Sequence, residues 1–104
     1  CGTLNEIKEA EEYGVEIVKM FPSFSTGGAE FVKAIQGPRP WTSIMPTGGV
    51  TPEEDNLREW FDAGVVCVGM GSALTKKAWI AAGEYDKITQ LTADTLALIK
   101  RIRA

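Results

Sequence analysis

Histidine is absent from the 104-residue sequence, and its absence excludes several kinds of chemistry. Serine–histidine–aspartate triads, cysteine–histidine pairs and histidine-ligated zinc all require an imidazole. Cysteine is scarce as well, because Cys1 and Cys67 are the only two and have no CxxC spacing. No redox motif is indicated, and no carboxylate cluster has the spacing of metal ligands. Any chemistry would therefore come from lysine, carboxylate, hydroxyl or backbone groups, without a metal.

An excess of positive charge and long apolar runs are also lacking. Eleven Lys+Arg against fourteen Asp+Glu give a net charge of -3. Nucleic-acid binding usually needs a basic stripe, and the only basic cluster lies at Lys100–Arg103, so no nucleic-acid partner is expected. No apolar run approaches the roughly 20 residues that cross a bilayer, and no leader opens the chain. We expect a cytoplasmic protein that does not contact membranes.

The residues that are present have the composition of a folded domain. Hydrophobic residues make up 44% and charged residues 24%, and the length allows one domain over residues 1–104. Three β-branched or apolar segments predict buried strands, at Val15–Phe21, Trp41–Met45 and Val65–Val68. Helical periodicity separates them. The sequence therefore predicts an α/β fold, with parallel strands covered by helices.

Capping signals predict where the helices begin. Thr3 with Glu6, and Thr51 with Glu54, have the spacing of a capping box, in which the first side chain caps the helix and the second reaches back. The last helix is predicted over about Tyr85–Ile102, because its apolar residues recur at helical spacing.

One lysine interrupts the first predicted strand. Lys19 lies between the apolar residues Val18 and Met20. Burial of an ammonium group is costly and lowers the pKa of a lysine. The neutral amine can then attack a carbonyl carbon and form an iminium. The alternative is a lysine on an edge strand whose ammonium group stays in water, and position alone leaves both interpretations open.

Glycine-rich turns follow the second and third predicted strands. They are Thr47-Gly48-Gly49 and Gly69-Met70-Gly71-Ser72, and each precedes a helical segment. Carboxyl ends of parallel strands meet on one face, where backbone N–H groups and a helix N-terminus can bind an anion. Ordinary turn formation is the alternative for either turn alone. Two such turns at consecutive strand ends match the phosphate site of α/β barrels.

Taken in order, several segments resemble the 2-keto-3-deoxy-6-phosphogluconate aldolases, also called KDPG/KHG aldolases. They are Val18–Pro22, Gly27-Gly28, Gly37-Pro38, Met45–Val50 and Val68–Ser72. The resemblance implies a (β/α)8 TIM barrel and a class I aldolase that needs no cofactor. It implies that Lys19 forms the Schiff base. It also implies a substrate-binding set at the strand ends: Phe21, Pro22, Pro46, Thr47, Gly48, Gly49, Gly69, Gly71 and Ser72.

The resemblance covers only the C-terminal half of the family's barrel, with about its last three strands. The family's proton-shuttling carboxylate and the arginine that binds the pyruvate carboxylate lie on earlier strands, without counterparts here. The isolated chain is therefore expected to be inactive. Because the family often forms trimers, we expect a homo-oligomer or an assembly with a complementary N-terminal half. The turn Gly69-Met70-Gly71-Ser72 also departs from members that have adjacent glycines before the serine.

The predicted function is cleavage of 2-keto-3-deoxy-6-phosphogluconate to pyruvate and glyceraldehyde 3-phosphate. The partner would then be a phosphorylated 2-keto acid, although 4-hydroxy-2-oxoglutarate is also compatible with the sequence. One alternative keeps the phosphate site without the lysine chemistry, as in the half-barrel of a sugar-phosphate isomerase, epimerase or synthase. Another alternative is a non-catalytic barrel fragment or assembly module.

Overall fold

Helices and short parallel strands alternate along the chain, which a computed structural model describes over residues 1–104. The β1 and β2 strands pair in parallel, with Val18 opposite Ile44. The predicted α/β fold with parallel strands is confirmed. None of the helices combines the length and hydropathy that a bilayer crossing requires. The elements are α1 (Leu4–Glu12), β1 (Val18–Met20), α2 (Gly28–Gln36), β2 (Ile44–Pro46), α3 (Glu54–Ala63), α4 (Lys77–Ala81) and α5 (Tyr85–Arg103).

Both strands are shorter than the apolar segments that predicted them. Within β1 the residues alternate, since Val18 and Met20 are buried whereas Lys19 is exposed. The flanking Ile17 is 47% exposed, so the prediction of a strand buried from Val15 to Phe21 is wrong at its ends. Trp41, predicted to open the second strand, lies outside β2 and is 64% exposed. The second face is open at Lys19 of β1 and half-buried at Met45 of β2, so burial of the strands is largely confined to one face.

The predicted third strand, Val65–Val68, does not form a regular ladder with β2. The Val66 N–H donates to the Ile44 carbonyl at 3.2 Å, and the Gly69 N–H donates to the Pro46 carbonyl at 2.9 Å. One residue separates the two acceptors but two residues separate the donors, as in a β-bulge. Residues 65–69, here called the third segment, therefore run beside β2 with a single parallel bridge, between Thr47 and Gly69.

Proline is the physical reason for this interruption. In a regular parallel ladder, residue 46 would donate its N–H to the Val66 carbonyl, but Pro46 has no N–H. The Arg103 guanidinium donates to the Val66 carbonyl instead, at 3.2 Å. The C-terminal end of α5 thus supplies the hydrogen bond to the Val66 carbonyl that β2 would supply in a regular ladder.

The core lies between one face of the sheet and the helices. Val18 and Met20 of β1 and Ile44 of β2 are at most 2% exposed. The opposite face of β1, which carries Lys19, is open to solvent. The fold therefore covers one side of the strands with α1, α2 and α3 and leaves the other side uncovered. The remaining core residues are Ile7, Ala29, Val32, Ile35, Val50, Leu57, Trp60, Ala63 and Val65.

The first predicted capping box is confirmed. The Glu6 N–H donates to Thr3 Oγ1 at 3.2 Å, and the Glu6 carboxylate accepts from the Gly2 N–H at 2.9 Å. The Gly2 N–H, followed by the Thr3 hydroxyl, lowers the pKa of Glu6 because both stabilise the carboxylate. The reach-back bond ends on Gly2, one residue before the expected cap N–H.

The second predicted capping box is wrong. Helix α3 begins at Glu54 with Glu53 as its N-cap, and Thr51 does not cap it. The Thr51 N–H donates instead to Asn56 Oδ1 at 2.9 Å. Asn56 also donates to the Gly49 carbonyl at 3.0 Å, so its amide closes the loop before α3.

Helices α3 and α5 are joined by charged side chains. The Arg101 guanidinium donates to Glu54 Oε1 at 3.0 Å, and Arg58 approaches the same oxygen at 3.5 Å. The Arg101 hydrogen bond and the nearby Arg58 charge lower the pKa of Glu54. This pair therefore links the start of α3 to the end of α5.

Candidate functional site

The residues singled out in the sequence lie at the carboxyl ends of β1, β2 and the third segment. These three segments are adjacent, with β2 in the middle. Lys19 is opposite Met45 in the ladder, two residues before Thr47. Because parallel strands run in the same direction, the lysine and both glycine-rich turns reach the same edge of the sheet.

Lys19 lies on the open face of β1. Its Nζ is 5.6 Å from the centroid of the Phe21 ring, two residues along the same face. Phe21 itself is 56% exposed. Of the two interpretations left open for Lys19, the buried one is not found in this chain, because no element covers that face of the sheet, and the exposed side chain fits the alternative. β1 is at the edge of the sheet, and part of its outer backbone edge is covered, since the Cys1 backbone nitrogen donates to the Lys19 carbonyl at 2.8 Å.

The turn after β2 presents two unused donors. The N–H groups of Gly48 and Gly49 form no hydrogen bond within the chain. Both glycines have positive φ, +88° and +79°, which disfavours any other residue. A Cβ on Gly49 would lie 2.9 Å from the Phe24 Cβ. Packing against Phe24 and backbone conformation thus both require glycine at position 49, in addition to any role in binding an anion.

The turn after the third segment contains two different glycines. A Cβ on Gly69 would lie 2.5 Å from Thr47 Oγ1, so glycine permits close contact between the two turns. The Gly69 N–H is already bonded to the Pro46 carbonyl. Gly71 has no atom within 4 Å of its Cβ position, and neither its N–H nor that of the exposed Ser72 donates within the chain. The free donors of this turn are therefore at Met70, Gly71 and Ser72.

Thr47 joins the two turns through its side chain. Its Oγ1 is buried, without a hydrogen-bond partner, and faces Gly69. Pro46 before it has a buried ring, and Pro22 follows Phe21 across a cis peptide bond. The structure thus brings Thr47 and Pro46 against Gly69, and Phe21 against Gly48. Gly71 and Ser72 lie two and three residues beyond Gly69, where no atom approaches the Cβ position of Gly71 within 4 Å.

Sequence reasoning missed Ser23 and Asn56. Ser23 is fully buried and bonds to Met20 and Thr47, and Asn56 bonds to Gly49 and Thr51. Neither residue belongs to a recognisable motif, and the only signal is a small polar side chain directly after Pro22. Their partners lie on other segments, so their roles follow only from the fold. Elsewhere, no group of three or more acidic or cysteine side chains comes together to hold a metal ion.

Comparison with known proteins identifies the family. The family model described as "KDPG and KHG aldolase" matches residues 1–91. The chain belongs to this aldolase family. The resemblance predicted from the motifs at Lys19 and Gly48-Gly49 is therefore confirmed.

Curated members of the aldolase family match most of the chain but only part of their own length. A KHG/KDPG aldolase from Escherichia coli (strain K12) is 35% identical over 95 residues, which covers 90% of this chain and 43% of that protein. A 2-dehydro-3-deoxy-6-phosphogalactonate aldolase from the same strain is 41% identical over 75 residues, covering 71% and 35%. The chain therefore spans less than half the length of these relatives.

Solved structures agree with the family at the level of the fold. A native KDPGal structure aligns with a TM-score of 0.82 and 30% identity, over 98% of this chain and 47% of that chain. A chain of a porous, cube-shaped cage, designed by fusing symmetric oligomeric domains, aligns with a TM-score of 0.80 and 29% identity over 99% of this chain and 36% of that chain. In both alignments, nearly all of this chain matches less than half of a longer chain.

Proposed function

We propose that this chain supplies the Schiff-base lysine and the phosphate-binding turns of an aldolase that cleaves 2-keto-3-deoxy-6-phosphogluconate to pyruvate and glyceraldehyde 3-phosphate. The observation that carries the proposal is the position of Lys19 on the strand next to Thr47, at the same edge as two turns with free N–H donors. In this proposal residues 1–104 form one unit containing about the last three strands of a (β/α)8 barrel.

Lys19 is the proposed nucleophile. Its amine adds to the ketone carbon of the substrate, water leaves, and a protonated imine forms. A general base, proposed to come from the complementary half, takes the proton of the substrate hydroxyl. The imine accepts the electron pair of the breaking carbon–carbon bond, so that the aldehyde departs and a pyruvyl enamine remains. Protonation of the enamine and hydrolysis release pyruvate and the free amine. The imine assists because it stabilises charge that develops in the transition state.

The phosphate of the substrate would bind between the two turns. The N–H groups of Gly48, Gly49, Gly71 and Ser72 are free to donate to it, and so is the Ser72 hydroxyl. Such donors favour an anion without requiring a charged side chain. Phe21 and Phe24 flank Gly48, with ring atoms 3.4 and 3.5 Å from its Cβ position, and would limit access from that side.

A complete active site needs groups that this chain does not place near Lys19. The proton-transferring carboxylate and the arginine for the pyruvate carboxylate would come from a complementary N-terminal half, which would also cover the open face of β1. General acid–base assistance typically contributes about 10²–10⁴-fold to a rate. The isolated chain is therefore proposed to be inactive, and the assembled protein, in a trimer, to be the cytoplasmic enzyme.

Trapping with pyruvate and borohydride tests the function. The assembled protein, formed with a complementary N-terminal half, is incubated with pyruvate, reduced and mapped by peptide mass spectrometry. We expect one reduced adduct, on Lys19, because in the assembled protein the complementary half would cover the face of β1 that carries it, whereas Lys76, Lys77, Lys87 and Lys100 lie in helical regions or turns away from that face. Lys19→Arg keeps the charge, removes the nucleophile and serves as the control.

An adduct on another lysine, with Lys19 unmodified, would contradict the mechanism. Phosphate binding without any adduct would favour a phosphate-binding half-barrel with different chemistry. Assays with the phosphorylated substrate and with 4-hydroxy-2-oxoglutarate, compared by kcat/KM, then identify the preferred 2-keto acid.

A further inference from the structure

We propose that Ser23 is a positioning residue that holds the Thr47–Gly49 turn in register with the Lys19 strand. Ser23 touches neither the lysine amine nor the free donors of the turn, and it would act through Thr47. The inference rests on the proposed function, in which substrate spans the distance between Lys19 and the phosphate-binding turns.

Ser23 forms a reciprocal pair with Thr47. The Thr47 N–H donates to Ser23 Oγ at 2.9 Å, and the Ser23 N–H donates to the Thr47 carbonyl at 2.9 Å. Ser23 Oγ also donates to the Met20 carbonyl at 2.8 Å. The hydroxyl therefore acts as donor and acceptor at once, with its side chain fully buried. Both of its bonds run to the residues that end β1 and follow β2.

The bonds of Ser23 begin where the strand ladder ends. The last paired residues of the sheet are Met20 and Pro46. Beyond them the two segments are connected by the backbone bonds of Thr47 to Met20 and to Ser23 and by the Ser23 hydroxyl. The Thr47 N–H is shared between the Met20 carbonyl, at 2.9 Å, and Ser23 Oγ. The Ser23 carbonyl accepts from the Gly28 N–H at 2.9 Å, which adds the start of α2. One buried serine thus fixes the turn relative to two other segments.

The two free donors lie directly after this anchored residue. Gly48 and Gly49 can adopt many backbone conformations, so their N–H directions depend on how Thr47 is held. Removal of the hydroxyl would leave the Thr47 N–H with one acceptor and the Met20 carbonyl with one fewer donor. We therefore expect a change in the turn's position without loss of the fold.

Ser23→Ala tests the role, and Ser25→Ala is the matched control. Ser25 lies in the same turn, is exposed and bonds only to the Pro22 carbonyl at 3.2 Å through its hydroxyl. In the assembled protein, Ser23→Ala should raise KM for the phosphorylated substrate about tenfold. This is the effect expected if displacement of the turn weakens phosphate binding by about one hydrogen bond. The rate of pyruvate adduct formation at Lys19 should change by less than about twofold, because pyruvate has no phosphate.

A second measurement does not depend on catalysis. Amide resonances of Gly48 and Gly49 are followed by NMR during titration with inorganic phosphate. Ser23→Ala should shift both resonances before titration and weaken phosphate binding. Ser25→Ala should change neither the resonances nor the phosphate binding. Ser23→Cys, which keeps the size but is a weaker hydrogen-bond former, should fall between the parent and alanine.

The possible outcomes separate this role from the proposed function. Unchanged KM and unchanged phosphate titration in Ser23→Ala would overturn the positioning role, as would equal losses in phosphate-dependent and pyruvate-dependent reactions. If the parent forms no adduct at Lys19, the proposed aldolase function fails. Ser23-dependent phosphate binding in that same parent would still support the positioning of the turn.

Discussion

Glycine is required at different positions of the two turns for different physical reasons. Gly49 combines a φ of +79° with a close approach to Phe24, and Gly69 leaves room for Thr47 Oγ1. A substitution at either position would strain the backbone or the packing whatever the turn binds. Gly71 has neither constraint, since its Cβ position is open and its φ is not in the left-handed region. Charge alone can therefore be tested at Gly71.

Gly71→Asp and Gly71→Asn form a matched pair of equal size. In the assembled enzyme we expect Gly71→Asp to raise KM for the phosphorylated substrate about tenfold or more over Gly71→Asn, because a carboxylate repels the phosphate at short range. Values of KM for an unphosphorylated 2-keto acid should be similar in the two variants. Equal KM values for the phosphorylated substrate would place the phosphate elsewhere.

At the scale of elements, the helices were more predictable than the strands. The box formed by Thr3 and Glu6 depends on residues three apart, so the sequence contains everything that decides it. The box expected at Thr51 failed because the competing partner, Asn56, binds the same loop. The third strand failed because the missing N–H belongs to Pro46, about twenty residues earlier in the chain. Pairing between distant segments is the information that a local pattern lacks.

The same distinction applies to the candidate site. Lys19 and the glycine-rich turns were predictable, since parallel strands bring their carboxyl ends together. The anchoring of Thr47 by Ser23 was not, because it requires the distance between two loops. The sequence left open whether Lys19 is buried or exposed, since an apolar strand pattern does not reveal which face lacks a cover.

The contact between α3 and α5 should weaken in acid. The pKa of Glu54 lies below its ordinary value of 4.5, with the Arg101 hydrogen bond as the largest cause. As the pH falls, the Glu54 carboxylate is therefore protonated at a higher pH in the unfolded chain than in the folded chain. The stability that Glu54 contributes is present above pH 4.5 and is lost as the pH falls through the folded pKa.

Melting temperatures measured from pH 7 to pH 3 test this contribution. The parent should lose more stability below pH 4.5 than Glu54→Gln, which has no carboxylate to protonate. Glu53→Gln, at the neighbouring N-cap, removes a carboxylate that makes no ion pair and should follow the parent. Parallel curves for the parent and Glu54→Gln would contradict the role of the Arg101 contact.

As a whole molecule, the chain is extended for its length and leaves apolar side chains uncovered. Its radius of gyration is 14.8 Å, against about 13 Å for a compact domain of 100 residues. Only 16 of 104 residues are buried, which is a small core. The exposed large apolar side chains include Ile17, Phe21, Phe24, Trp41, Ile80, Tyr85 and Leu96.

These surfaces predict that the 104-residue chain does not remain an active monomer on its own. The open face around Ile17 and Phe21 and the short strand edges favour association with a complementary half or with further copies. Sedimentation of the purified chain should show species larger than 11.3 kDa, or a loosely packed state, without aldolase turnover. Addition of a complementary N-terminal half should restore turnover. A compact monomer with normal turnover would contradict this prediction.

The bond between Arg103 and the Val66 carbonyl has a consequence for the order of folding. It joins residues 37 positions apart, and it satisfies a carbonyl to which Pro46 of β2 cannot donate because proline has no N–H. Contacts between residues so far apart form late, because the loop between them must close first. During synthesis, β1, β2 and the third segment can pair as soon as they have left the ribosome, whereas the Val66 carbonyl receives its Arg103 donor only after α5 has been made. Helix α5 therefore completes the hydrogen bonding of the third segment, just before the turn of the proposed phosphate site, after the strands have paired.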